Sequence, residues 1–219
     1  MIKKLFFILT TLFFIPAPVF ATGCVDITVD PQIKLTSSYG KLAVDQSKTT
    51  KEITALASSL NLVEHGLFAS GLSTVNINFD ITLNAFGAPA GDVFCVIPTE
   101  IDLFLGLDKP TIYLAEELTA KSCEYNMVLR HEQTHQQINK STLEYYLPMF
   151  KTAALQIARS IKPVEVKNID DIKPAISELT TAYNQKMTPV VNFIKKEMLA
   201  EQSKLDNSQN YLYESKLCP

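Results

Sequence analysis

From Thr74 to Asn84 apolar and polar side chains alternate without a break: Val75, Ile77, Phe79, Ile81 and Leu83 fall on one side, with Thr, Asn and Asp between them. A period of two describes an extended strand whose two faces differ, one packed and one in water. A chain with such a stretch must build a sheet and supply an apolar layer to cover one side of it. The neighbouring sequence offers further strands. Gly87-Ala-Pro-Ala-Gly91 reads as a turn, Val93 to Ile97 as a buried partner strand, and Ile101 to Leu105 and Thr111 to Leu114 as two more, parted by Asp108-Lys-Pro110. Cys24 to Leu35 adds one or two short strands. The expectation is an antiparallel sheet of about four or five strands.

Helical spacing dominates elsewhere. Ile53, Leu56 and Leu60 mark a short amphipathic helix within Thr49 to Leu62, and His65 beside Gly66 reads as a histidine near its C-terminal cap. Ser122 can cap a helix carrying Met127, Val128, His131, His135 and Ile138, which Asn139-Lys140 would end. Ser141-Thr-Leu-Glu144 has the spacing of a capping box for a second helix through Phe150, Ala154 and Ile161, with Pro148 holding its regular part to Leu147 onward. A long amphipathic segment follows from Asp170 to about 206, which Pro189 should kink or break. The fold class is α+β, an antiparallel sheet packed against the helix around His131 and followed by long C-terminal helices.

Within that helix His131-Glu-Gln-Thr-His135 reads HExxH. Residues four apart share a helix face, so both imidazoles can reach one metal ion while Glu132 stands beside its open side. The chain has three histidines, and two are in this motif. Neutral imidazoles suit zinc, which keeps a position for water and lowers its pKa, and Glu132 is placed to take that water's proton.

Such an ion needs a third protein ligand. The positions where a glycine and a third histidine would extend the motif hold Ile138 and Ser141, and no histidine follows His135, so a carboxylate is expected. The candidates are Glu144, Glu165, Glu178, Glu197, Glu201 and Glu214. Glu144 is preferred, because a tight turn at Asn139 to Ser141 would fold it back beside His135. Its other reading, as the capping-box glutamate, stays open. Tyr145 or Tyr146 could donate to the oxyanion of a tetrahedral intermediate, or simply pack. Arg130 reads as a surface residue.

Lys3-Lys4, an apolar run from Leu5 to Ile15 and Val19-Phe-Ala21 make residues 1–21 a secretory signal peptide, too short in its core for a permanent span. Ala21-Thr-Gly-Cys24 is similar to a lipidation site, but lipidating Cys24 would leave three cysteines of four. An even set suits two disulfides in an oxidising compartment, with three connectivities open; Cys95 with Cys123 and Cys24 with Cys218 are preferred. A formal charge of -3 and a pI near 5.7, with no basic cluster, give nucleic acid no footprint.

The stretch from Ser122 through His131-Glu-Gln-Thr-His135, preceded by strands with a cysteine and Ile97-Pro98, resembles secreted bacterial proteins of unknown function that are grouped as predicted zinc-dependent proteases. The resemblance covers about residues 70–145, and HExxH is its one specific motif. It implies zinc on His131 and His135 and catalysis by Glu132, without naming a substrate. The reading is then a signal peptide at 1–21, a zincin-like catalytic domain at 22–162 and a helical extension at 163–219 packing on it. The protein would be a periplasmic or secreted zinc metallopeptidase acting on peptides, with Thr111 to Leu114 as an edge strand for the substrate. The alternative is a non-catalytic envelope binding protein whose HExxH helix is structural or degenerate.

Overall fold

The structure, a computed structural model, describes residues 23–24, 27–62 and 68–218. The signal peptide and His65 lie outside them. Two strands organise the sheet: β3 (Gly71–Ala90) and β4 (Val93–Ala115), a long antiparallel hairpin paired from Gly71↔Leu114 to Ala90↔Val93. The turn is Gly91-Asp92, with Gly91 at φ +65, as primed two-residue turns require. The other edge of β4 is shared by three short strands in succession. β5 (Val164–Val166) pairs antiparallel at Phe94 to Val96, β1 (Gln32–Thr36) parallel at Glu100 to Phe104, and β2 (Ala43–Lys48) parallel at Thr111 to Ala115.

This corrects the expected antiparallel sheet: the sheet is mixed, with β1 and β2 both parallel to β4. Asp108-Lys-Pro110 is no turn. Lys109 takes a positive φ of 49° inside β4 instead, and the three strands expected at Val93 to Ile97, Ile101 to Leu105 and Thr111 to Leu114 are one. Pro98 and Pro110, which have no N–H to donate, fall in the gaps between β5 and β1 and between β1 and β2. Thr111 to Leu114 is also not an edge, being flanked by β2 and β3.

The alternation in β3 has the predicted effect. Ile81 and Leu83 are buried and Val75, Ile77 and Phe79 half-buried, whereas Asn76, Asn78, Asp80, Thr82 and Asn84 are exposed. The packed face meets two long helices, α2 (Cys123–Ser160) and α3 (Ile172–Gln202), in one core with Leu103, Leu105, Phe150, Leu179 and Ile194. Strand β5 and helix α3 share this core, and α4 (Ser208–Glu214) follows α3 with no buried residue of its own. The short helix α1 (Thr50–Ser59) has a capping box between Thr49 and Glu52. It packs Ile53 and Ala57 against Leu72 and Ala115.

Neither α2 nor α3 breaks where expected. Asn139-Lys140-Ser141 lies within α2, so Glu144 caps nothing, and Pro148 and Pro189 are accommodated inside continuous helices. The disulfides also differ from the preferred pairing: they are Cys24–Cys95 and Cys123–Cys218. Because β1 runs parallel to β4 with Gln32 opposite Glu100, the chain before β1 travels beside the start of β4 and brings Cys24 to Cys95. The two bonds suit an oxidising, extracytoplasmic setting. Among the described residues no helix is long and apolar enough to cross a membrane.

Strand β3 meets α2 at Gly71. A Cβ there would stand 2.5 Å from Val128 Cγ1 and 2.6 Å from Glu132 Oε1, closer than real contacts come. We therefore expect Gly71→Ala to push strand and helix apart at a cost of about 1–3 kcal/mol, read from urea denaturation. Unchanged stability would show that the gap is wider than the structure gives.

Candidate metal centre

The buried stripe of α2 changes character along its length. Towards the C-terminus it is Leu143, Phe150, Ala154 and Ala158, an ordinary apolar seam. Towards the N-terminus it is His131, Glu132, His135, Gln136, Asn139 and Thr142, which are all the buried polar or charged side chains among the described residues. Burying such groups is unfavourable unless each finds a partner. Among the described residues no fully buried side-chain nitrogen or oxygen lacks one.

The partners come from β3 and from the chain beyond α3. Gln136 Nε2 donates to Ser73 Oγ at 2.6 Å and to the Thr74 carbonyl at 3.0 Å. Gln202, the last residue of α3, donates from Nε2 to Asn139 Oδ1 at 2.5 Å, and its side-chain Oε1 faces His135 Nδ1. In α4, Glu214 accepts from His131 Nδ1 at 3.0 Å. With both Nδ1 atoms facing acceptors, each imidazole directs Nε2 inward.

What they face is Asp206, in the turn between α3 and α4. Its Oδ1 lies 3.1 Å from His131 Nε2 and 2.9 Å from His135 Nε2, and the two nitrogens are 3.1 Å apart. Ligand atoms around a tetrahedral ion with bonds of about 2.0–2.1 Å are about 3.3 Å apart, so this nearly equilateral triangle matches three corners of such a site. His131, His135 and Asp206 could hold a metal ion. Glu214 on His131 and Gln202 on His135 would orient the ligands from behind.

Tyr211 closes one side, its ring 5.5 Å from that of His131 in a stacked arrangement and its hydroxyl donating to Asp206 Oδ1 at 2.8 Å. A cleft of about 850 Å³ opens over the cluster. Its walls include Leu72 and Met198, and its margin the exposed Leu60, Leu62, Phe68 and Leu199.

The structure therefore brings together His131, Glu132 and His135, and leaves Glu144 aside. Nine residues beyond His135 on a continuous helix is about half a turn off, and Glu144 is exposed beside Lys140 at 3.9 Å. Glu165 and Glu178 are exposed on β5 and α3, Glu197 accepts from Tyr146, and Glu201 pairs with Lys204. Of the carboxylates weighed, Glu214 alone reaches the cluster, and it does so behind a ligand. Tyr145 and Tyr146 do not line the cleft. Asp206 was missed because only glutamates were weighed. The Cys123–Cys218 bond, one of the pairings the sequence left open, brings the tail to a point about 12 Å along the helix from His131.

No family model matches the chain, and neither curated proteins nor solved structures show a match. The geometry of these residues thus carries the functional argument.

The electrostatics fit a cation site. In the metal-free protein burial works against a charged His131, but the hydrogen bond to Asp206 and the charges of Glu132 and Glu214 outweigh it and raise its pKa to about 9. Burial lifts Glu132 to about 7, against the pull of both histidines. Burial would raise Asp206 too, yet hydrogen bonds from His131, His135 and Tyr211 hold it well below the usual carboxylate range. A proton on His131 thus balances the carboxylates around it.

Two folded-state pKa values raised above their unfolded values, at His131 and Glu132, mean stability that is present at low pH and lost as pH rises through them. The stripped protein should lose thermal stability steadily from about pH 5 to about pH 9. With a bound ion the trend should reverse, since deprotonated ligands hold metal better. Melting curves with and without a chelator test this, and a stripped protein that gains stability over that range would contradict it.

Proposed function

We propose that this chain is a zinc-dependent hydrolase of peptide bonds, working in the periplasm or secreted. The observation that carries the reading is the convergence of His131 Nε2, His135 Nε2 and Asp206 Oδ1 at the floor of a cleft, with Glu132 buried next to them. Two imidazoles and one carboxylate leave a tetrahedral ion a fourth position, the pattern of catalytic rather than structural zinc. The ion, when bound, supplies a Lewis acid that polarises a carbonyl and lowers the pKa of water.

The remaining steps fall to the chain's own residues. Glu132 takes the proton of the attacking water and returns it to the leaving amine. Its packing against Gly71 of β3 keeps it dry and fixes its direction, and its raised pKa suits a group that must hold that proton between the two steps. Tyr211, whose hydroxyl rests on Asp206 Oδ1, would turn that one proton from Asp206 to the oxyanion, the role that the sequence had suggested for Tyr145 or Tyr146. The substrate is an extended peptide. Among the described residues β3 pairs with β4 alone, so its other edge faces the cleft, where Glu132 bonds the Ser73 backbone and Gln136 bonds the Ser73 hydroxyl and the Thr74 carbonyl. The apolar margin favours peptides with large apolar side chains.

Glu132→Gln should keep zinc and lower kcat by about 10²–10⁴-fold, whereas Asp206→Ala should lose zinc and turnover together. Elemental analysis and hydrolysis of a fluorogenic peptide library read both. A Glu132→Gln variant as active as wild type would refute the mechanism. A wild type that binds zinc and apolar peptides without cleaving them would favour the binding-protein reading.

Tyr211→Phe keeps the ring stack and removes the hydroxyl. It should lower kcat by about 10²–10³-fold with zinc content unchanged. Loss of zinc with unchanged turnover per ion would instead reduce Tyr211 to holding Asp206.

A further inference from the structure

One of the three candidate ligands, Asp206, belongs to a strap. Residues 203–218 leave the end of α3, cross the face of α2 and end at Cys218, bonded to Cys123 in the first turn of that helix. The strap carries Asp206, Tyr211 and Glu214, yet α4 within it buries no residue of its own and leaves Tyr211, Leu212 and Tyr213 exposed. Apolar burial therefore does little to hold it down. Its attachments are the polar bonds to His131 and His135, the Tyr211 stack, and the disulfide.

The two disulfides differ in setting. Cys24 and Cys95 are 3% and 0% exposed, Cys95 lying inside the sheet between β3 and β5, whereas Cys123 is exposed and Cys218 half-buried. A thiolate must reach a sulfur atom to exchange with it, so attack falls on the second bond first.

From this we propose that Cys123–Cys218 is a redox-labile clasp that sets metal occupancy: closed, it holds Asp206 over the histidine pair, and opened by a dithiol it releases the strap and the ion. The inference rests on the metal-centre reading above. In the opening step a dithiol thiolate attacks one sulfur to give a mixed disulfide. Its second thiol then displaces the other cysteine, so the dithiol is oxidised to a disulfide and Cys123 and Cys218 are reduced to thiols. Reoxidation by the reverse exchange closes the clasp.

The magnitude follows from chain entropy. Freeing one end of a strap of about 15 residues restores freedom that ligand binding must again remove, on the order of a hundredfold in affinity.

The experiment compares wild type with a Cys123→Ser/Cys218→Ser double variant, which keeps Cys24–Cys95. Zinc affinity is read by competition with a chromophoric chelator, strap docking by hydrogen exchange over residues 203–218, and folding by circular dichroism. The expected result is a folded variant with affinity down on the order of a hundredfold and faster exchange confined to the strap. A limited dithiol treatment of metal-free wild type should expose two thiols and no more. Unchanged affinity and exchange in the folded variant would overturn the inference, as would four thiols appearing together. Wild type that binds no zinc would sink the metal reading, and the clasp's control of occupancy with it. Exchange over the strap would still show whether the disulfide docks it. Should the variant fail to fold, the same affinity and exchange readings on wild type reduced at Cys123–Cys218 decide the matter.

Discussion

Asp206 Oδ1 receives three groups at once, the Nε2 atoms of His131 and His135 and the hydroxyl of Tyr211. The rest of the molecule is arranged to make that possible. An isolated pair of imidazoles on the buried side of a helix would be expelled to water, since nothing apolar can satisfy them. A carboxylate delivered from above lets the stripe on α2 stay polar for its first half and still be covered. Helix α3 brings the carboxylate, because its apolar seam with α2 carries it along the same direction and ends at Gln202, beside His135. The sheet fixes the other side, where the missing side chain at Gly71 lets β3 come close enough for Glu132 to be buried.

The parts of this arrangement that could be read in the sequence were those written in local period. The alternation from Thr74 to Asn84 and the three- and four-residue steps of α2 and α3 describe how a segment meets a layer, and that layer need not be identified first. The HExxH spacing is local in the same sense, which is why His131, Glu132 and His135 stand together in the fold. Register between distant segments has no such signature. Nothing in Gln32–Thr36 says that it lies parallel to β4, and neither disulfide follows from its neighbours.

Two local signals misled for a physical reason. Asn139 and Ser141 prefer helix ends because their side chains compete for backbone groups, but Gln202 occupies the Asn139 side chain and the helix continues. Ser141 and Glu144 have the spacing of a capping box, yet inside a continuous helix there is no free amide for either to cap. Asp206 was hidden more deeply. It lies 71 residues after His135, in a polar stretch without periodicity, and its role depends on where α3 happens to stop.

The placement of the ligand strap after α3 also sets an order of events. A chain is made from its N-terminus, so Cys24 and Cys95 are both available while α2 and α3 are still to come. The hairpin of β3 and β4 can close on itself from neighbouring sequence. HExxH then emerges as a helix with a polar stripe and no cover. Its cover arrives only with the final turns of α3 and the strap behind them, and Cys123 must wait 95 residues for its partner. Until that moment the histidines cannot hold an ion against competing ligands. Under the proposed function, hydrolysis is therefore withheld from the nascent chain and begins with the last segment to fold.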